Sequence, residues 1–327
     1  MTRLRASHLK LLVLIASLAI PVFALGSDPR SGAERAGVKL PLGITPEIWS
    51  YFVPRASSVT PGRIELGRQL FFDKRLSADG NVSCASCHDP QLAFADGKPV
   101  AEGIGGRRGT RNSPSLFNAM FNSGQFWDGR AETLEAQAVL PLINPDEMGN
   151  DSLEKVVERL RSLPEYARQF QENFNGPVTV ESLGKAISSY ERSLVSANAP
   201  IDRYFAGDRE AISISAQRGL TLFRTRARCA VCHSVNPSFP FFSDQNYRNT
   251  GVSTESAGFD LLARRATEAV RVTEPGKALE NLAKEPAASE LGRFMVTGNP
   301  LDIGSFRTPS LRNIELTAPY FHNGRAA

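Results

Sequence analysis

Cys84, Cys87 and His88 form a Cys-x-x-Cys-His motif, and Cys229, Cys232 and His233 form a second. Between them they use all four cysteines of the chain and two of its four histidines. This is the spacing by which a peptide attaches a c-type haem. The two thiols add across the vinyl groups, and the adjacent imidazole reaches the iron. The loop is short because it spans two fixed points on a rigid ring while presenting His88 or His233 to the metal. The motifs therefore point to two covalently bound haem c groups. A redox disulfide, a structural disulfide and a zinc site built from all four cysteines compete for the same thiols. None of these requires a His directly after the second Cys in both copies. The 145 positions from Cys84 to Cys229 also suit two sites better than one.

Export to an oxidising compartment fits such assembly, and the N-terminus reads as an export signal. Arg3, Arg5 and Lys10 make a basic start, Leu11 to Ile20 is an apolar run, and Val22-Phe23-Ala24 precedes the expected cleavage point. Residues 1–26 are thus a predicted signal peptide and the expected location is the periplasm. An uncleaved anchor is disfavoured by Pro21 and by the shortness of the run. Removing those three basic residues from the 38 Lys and Arg leaves 35 against 34 acidic residues, a near-neutral chain with no case for nucleic acid.

The elements that must position the motifs read as mainly α. A chain of 327 residues allows two domains of ordinary size. Residues 27–58 read as an irregular lead-in. Thr60-Pro61 starts a helix whose apolar face holds Ile64, Leu70 and Phe71. Thr133 starts another, which Pro141 should interrupt. Asp151 and Glu154 form a capping-box pattern ahead of Leu153, Val156, Val157 and Leu160, which share a face. Leu183, Ile187, Tyr190 and Leu194 repeat that spacing. Gly97 to Gly109, with Arg107, Arg108 and Arg111, make a basic glycine-rich loop. Residues 255–290 read as a solvated, charged insertion with no chemistry.

The chain also echoes itself. Gly67-Arg68-Gln69-Leu70-Phe71 precedes the first motif and Gly219-Leu220-Thr221-Leu222-Phe223 the second. The expectation is two cytochrome c-like haem domains, at 59–206 and 207–327, the second incomplete.

From Leu66 to His322 the chain resembles the bacterial di-haem cytochrome c peroxidases and their methylamine-utilisation relatives. The segments that carry the resemblance include Leu70-Phe71-Phe72-Asp73, Arg111-Asn112-Ser113-Pro114, Gln125-Phe126-Trp127-Asp128-Gly129-Arg130, Leu134-Glu135-Ala136-Gln137-Ala138 and Glu147-Met148. Towards the C-terminus they are Phe306-Arg307-Thr308-Pro309-Ser310-Leu311-Arg312-Asn313 and Thr317-Ala318-Pro319-Tyr320-Phe321-His322. The resemblance implies that the haem on His88 meets hydrogen peroxide. It implies that the haem on His233 takes electrons from a small donor protein, a cytochrome c or a cupredoxin. Glu147 matches the family's catalytic acid/base, Gln137 its distal amide and Trp127 the aromatic between the haems. Asn112, Thr317 and Pro319 match positions that hold calcium, an ion suited to hard oxygen ligands. Family members often form homodimers.

Two departures qualify that pattern. Many relatives block the peroxide iron with a His in the glycine-rich loop, where this chain has Ile104. An open N-terminal iron is therefore expected. The family chain also runs on past the segment matching Tyr320-Phe321-His322, with an axial Met in the continuation, so the sequence reads as a truncated family member. Three functions compete: a peroxidase, an enzyme of the methylamine-utilisation type that oxidises side chains of a partner protein, and an electron carrier without catalysis.

Overall fold

Seven of the twelve described α-helices start at a Ser or Thr whose hydroxyl caps them. Thr60 Oγ1 accepts the Arg63 N–H at 3.3 Å ahead of Pro61, and Thr133 Oγ1 accepts the Ala136 N–H at 3.1 Å. The structure is a computed structural model that describes residues 31–53, 59–285 and 287–327; the export-signal segment, 1–26, lies outside the described residues. Among these are α1 (Gly32–Arg35), α2 (Pro46–Phe52), α3 (Pro61–Phe72), α4 (Leu134–Ile143), α5 (Leu153–Arg161) and α6 (Pro164–Phe174). Then come α7 (Val180–Ser193), α8 (Pro200–Phe205), α9 (Ile214–Arg224), α10 (Phe259–Val272), α11 (Pro275–Leu282) and α12 (Phe294–Thr297). The one sheet among the described residues is an antiparallel pair, β1 (Tyr247–Arg248) and β2 (Phe306–Arg307), with Tyr247 opposite Arg307. The mainly α expectation holds.

The largest apolar cluster joins α3 to α7, burying Leu66, Leu70, Leu142, Val156, Leu160, Phe170, Leu183 and Ile187. The helical faces read from the sequence supply Leu70, Val156, Val157, Leu160, Leu183 and Ile187 of it, while Phe71, Tyr190 and Leu194 pack in a separate cluster. α3 and α7 cross so closely that a Cβ on Gly67 would stand 2.0 Å from the Ala186 carbonyl oxygen. A helix-interior glycine is entropically costly, and here the crossing requires it. Gly67→Ala should therefore lower unfolding free energy by about 1–3 kcal/mol, read as an earlier urea midpoint at unchanged slope.

Four local readings change. The lead-in is not irregular throughout. It forms α1, capped reciprocally by Ser31 and Glu34, and α2, whose Trp49 is buried beside Phe121 and Phe241. The cap of α5 is Ser152 rather than Asp151, which instead pairs with Lys155. Pro141 does not end α4, because it falls in the last turn and costs only the bond to the Gln137 carbonyl. The 255–290 segment is not merely solvated: α10 and α11 enclose Phe259, Leu262, Ala266 and Leu282 with Leu291 and Phe294.

Ser31–Ala327 forms one compact unit. Across the expected boundary near residue 206, Arg312 grips Asp202 with two bonds, at 2.6 and 2.9 Å, both side chains being buried. A bidentate guanidinium–carboxylate pair fixes orientation as well as distance.

Candidate functional site

The two motifs fold alike. Each Cys-x-x-Cys stretch is a turn of 3-10 helix, Cys84–Ser86 and Cys229–Val231, and each His backbone N–H bonds its first Cys carbonyl at 2.9 Å. His88 Nδ1 lies 3.0 Å from the Phe94 carbonyl oxygen, and His233 Nδ1 lies 3.0 Å from that of Phe242. Phe94 and Phe242 both have positive φ, 60° and 50°, which turns the carbonyl back onto the ring. Donation from Nδ1 fixes the tautomer and leaves the Nε2 lone pair for a metal. Burial holds the His88 pKa below its ordinary value, which favours the neutral imidazole, the form that ligates iron. α3 and α9, which carry the echoed segments, precede the two turns as expected.

The rival uses of the thiols fit poorly. None of the four cysteines is in a disulfide. Burial pushes the Cys84 thiol up to about 12 and the Cys87 thiol up to about 11, with Glu191 adding to the first effect. A redox pair needs a lowered thiol pKa. Among the described residues no three of His, Cys, Asp and Glu converge as a metal cluster, so the cysteine pairs do not meet in one zinc site.

Around the first motif the chain leaves room. A cavity of about 370 Å³ is lined by His88, Trp127, Gln137, Glu147 and Arg307 among others, and a smaller one adjoins it at Cys84, Met148 and Glu191. The larger is bounded on one side by Ala283, Ala288, Ser289 and Met295. Residues next to and within the charged insertion thus wall the site. Ser289 also accepts a bond from Arg111 through its backbone oxygen at 2.9 Å.

Glu147 and Gln137 meet here from different elements. Gln137 projects from α4. Glu147 follows it in a tight loop where the Met148 N–H returns to the Pro141 carbonyl and the Glu147 carbonyl accepts the Ile104 N–H at 2.7 Å. A Cβ on Gly103 would stand 2.4 Å from that same carbonyl, so the glycine-rich loop presses backbone against backbone to hold Glu147. Asn144 donates to Glu147 Oε1 at 2.8 Å, and burial raises the carboxyl pKa while Arg130 opposes the rise. Ile104 lies against Gly149 at the same loop.

Trp127 Nε1 donates to the Asn112 carbonyl at 2.9 Å, and its own carbonyl accepts from Arg307 N. Asn112 in turn donates its backbone N–H to the His322 carbonyl and its side-chain amide to the Lys98 carbonyl. Asn112 thereby meets the C-terminal segment at His322. His322 is buried, stacked on Phe306 with ring centroids 3.6 Å apart and bonded to Glu290 at 2.9 Å.

Two cavity residues escaped the sequence reading. Arg307 Nη1 reaches Asn122 Oδ1, yet its Nε has no partner and no carboxylate pairs with it among the described residues; burial lowers its pKa to about 10. A buried guanidinium facing a cavity without its counter-ion suits an anionic group such as a haem propionate. Glu191 is buried with Oε2 unbonded, and its pKa is pushed up to about 8 by burial. Its signal was present: Glu191 lies on the apolar stripe of Leu183, Ile187 and Leu194. These orphaned groups, with the oriented His88 and the neighbouring thiols, fit a haem.

At the second motif Cys229, Cys232 and His233 are half-buried, and α9 buries none of its residues, unlike α3.

Residues 61–210 match the family described as di-haem cytochrome c peroxidase. The chain is similar to the methylamine utilization protein MauG of Methylorubrum extorquens, with 37% identity over 274 residues, 83% of this chain and 67% of that one. It is 36% identical over 326 residues to the cytochrome-c peroxidase IdrP1 of a Pseudomonas species, covering 97% of this chain and 80% of that one. A crystal structure of a MauG-like protein associated with microbial copper homeostasis superposes with a TM-score of 0.67 at 32% identity, over 84% of this chain and 76% of that one. The paired, similarly folded Cys-x-x-Cys-His turns and these likenesses agree: the chain belongs to the di-haem cytochrome c peroxidase and MauG family.

Proposed function

We propose that this chain is an exported, periplasmic peroxidase that reduces hydrogen peroxide to two waters with two protons and two electrons from a small redox protein. The convergence of Gln137 and Glu147 on the cavity of His88 carries this reading. Family membership implies two haem c groups, held by Cys84, Cys87 and His88 in residues 59–206 and by Cys229, Cys232 and His233 in 207–327. A haem held by Cys84, Cys87 and His88 would supply an iron with an open position for peroxide and the electrons for cleaving its oxygen–oxygen bond.

The chain's own residues do the rest. Glu147, held by Asn144, takes a proton from the near peroxide oxygen and returns it to the leaving one, so that water departs. Gln137 orients the peroxide through its amide. Trp127, bonded to the Asn112 carbonyl, lines the route by which electrons arrive from the second module. Arg307 balances propionate charge in the larger cavity. Calcium at Asn112, Thr317 and Pro319 would tie the basic loop to the C-terminal segment.

The test is a steady-state peroxide assay of haem-loaded protein with reduced small cytochrome or cupredoxin, alongside the resting spectrum. Donor-dependent turnover and a high-spin ferric signal from the N-terminal site are expected, since Ile104 cannot ligate iron. A fully low-spin, bis-His spectrum would refute the open site.

Ile104 also favours a second reading, oxidation of a partner protein's side chains through Trp127 in the manner suggested by the MauG likeness. Poor peroxide consumption with every small donor, combined with peroxide-dependent modification of a co-expressed protein, would select it.

A further inference from the structure

The two modules differ sharply in charge. From Pro61 to Ala95, around the first motif, four acidic residues balance four basic ones, and two of the basic side chains pair with carboxylates: Arg68 with Glu65, and Arg75 with Asp73 and Glu165. From Ala211 to Phe242, around the second motif, there are four arginines and no acidic residue. Arg218, Arg224, Arg226 and Arg228 are all exposed, and none has a carboxylate partner among the described residues. Arg224 lies over the Phe205 ring at 5.4 Å, which holds its guanidinium near α9 without neutralising it. Arg228 directly precedes Cys229.

We infer that this arginine cluster is the docking surface for an electron donor whose own cofactor edge is acidic. The inference rests on the proposed reading of the second haem as the point of electron entry, and it adds the chemistry of the partner. The thioether bonds of Cys229 and Cys232 form at the vinyl edge of a haem, whereas the propionates occupy the opposite edge. Arg228 adjoins Cys229 in the chain, and Arg218, Arg224 and Arg226 precede it closely, so this charge lies by the attachment turn rather than with the propionates. Like charges concentrated at one surface site steer the encounter with an oppositely charged partner, and such steering accelerates association about 10–10³-fold at low salt. Because the side chains are exposed, salt must screen the effect.

Anaerobic stopped-flow reduction of the second haem tests this with haem-loaded protein and two reduced donors, an acidic cupredoxin (plastocyanin) and a basic mitochondrial-type cytochrome c. The acidic donor should react faster at low salt and slow by about tenfold as salt rises, and the basic donor should speed up. The double variant Arg218→Glu, Arg226→Glu should slow the acidic donor by about tenfold at low salt and favour the basic one. Equal rates in both proteins, or rates indifferent to salt, overturn the inference. So does salt-sensitive binding to phosphatidylglycerol vesicles without salt-sensitive electron transfer, which would assign the patch to a membrane surface. Peroxide turnover is read separately: if it fails while charge-dependent reduction persists, the peroxidase reading falls and the docking surface stands.

Discussion

Glu147→Gln should cut donor-dependent peroxide turnover by about 10²–10⁴-fold while leaving haem attachment and the resting spectrum intact. The amide keeps the shape and the bonding to Asn144 but cannot carry a proton from one peroxide oxygen to the other. The wild-type pH profile should show the same group. Proton pick-up requires the carboxylate, so turnover falls as pH drops through the Glu147 pKa. Burial raises that pKa above the ordinary carboxylate value of 4.5, which moves the acid limb of the profile towards neutrality. The limb should vanish in the variant. Unchanged turnover in Glu147→Gln would remove the acid/base role, and a limb that persisted would assign it to another group.

The contribution of Glu191 to stability should fall as pH rises from about 5 to about 8, against an opposite contribution from buried His88, and Glu191→Gln should remove it. In the unfolded chain Glu191 loses its proton near the ordinary value of 4.5; folded, it keeps it up to about 8. Below both values the two states bind the same proton and nothing is at stake. Between them the unfolded state releases a proton that the folded state holds, so rising pH favours unfolding. At about 1.36 kcal/mol per pKa unit, the window spans on the order of several kcal/mol. The causes are local. Burial dominates; Glu135 on α4 raises the value further, Arg192 beside it on α7 lowers it, and the Cys84 thiol lies within its field. Urea unfolding at three pH values across the window checks this. An identical pH dependence in wild type and Glu191→Gln would overturn the assignment to Glu191.

Much of the candidate site was legible because its chemistry is local in the chain. Cys-x-x-Cys-His needs only five consecutive residues to fix two thiols and an imidazole, and both copies fold into the same turn with the same Nδ1 bond. The helices of the largest cluster were equally readable, since Leu183, Ile187 and Tyr190 advertise their face by spacing alone. The cap at Ser152 was missed because Asp151 offers an equivalent oxygen one residue earlier, and only the backbone path selects between them.

By itself, then, the sequence determined the attachment motifs, the helical class and, through the resemblance, the expected roles of Glu147, Gln137 and Trp127. Tertiary structure decided what surrounds them. Gly103 reaches the Glu147 loop from 44 positions away, Arg307 turns an unpaired guanidinium into the cavity, and the 255–290 segment becomes a wall instead of an excursion. The reason is physical: burial and desolvation belong to no residue singly, and they arise only when distant segments exclude water from a shared space.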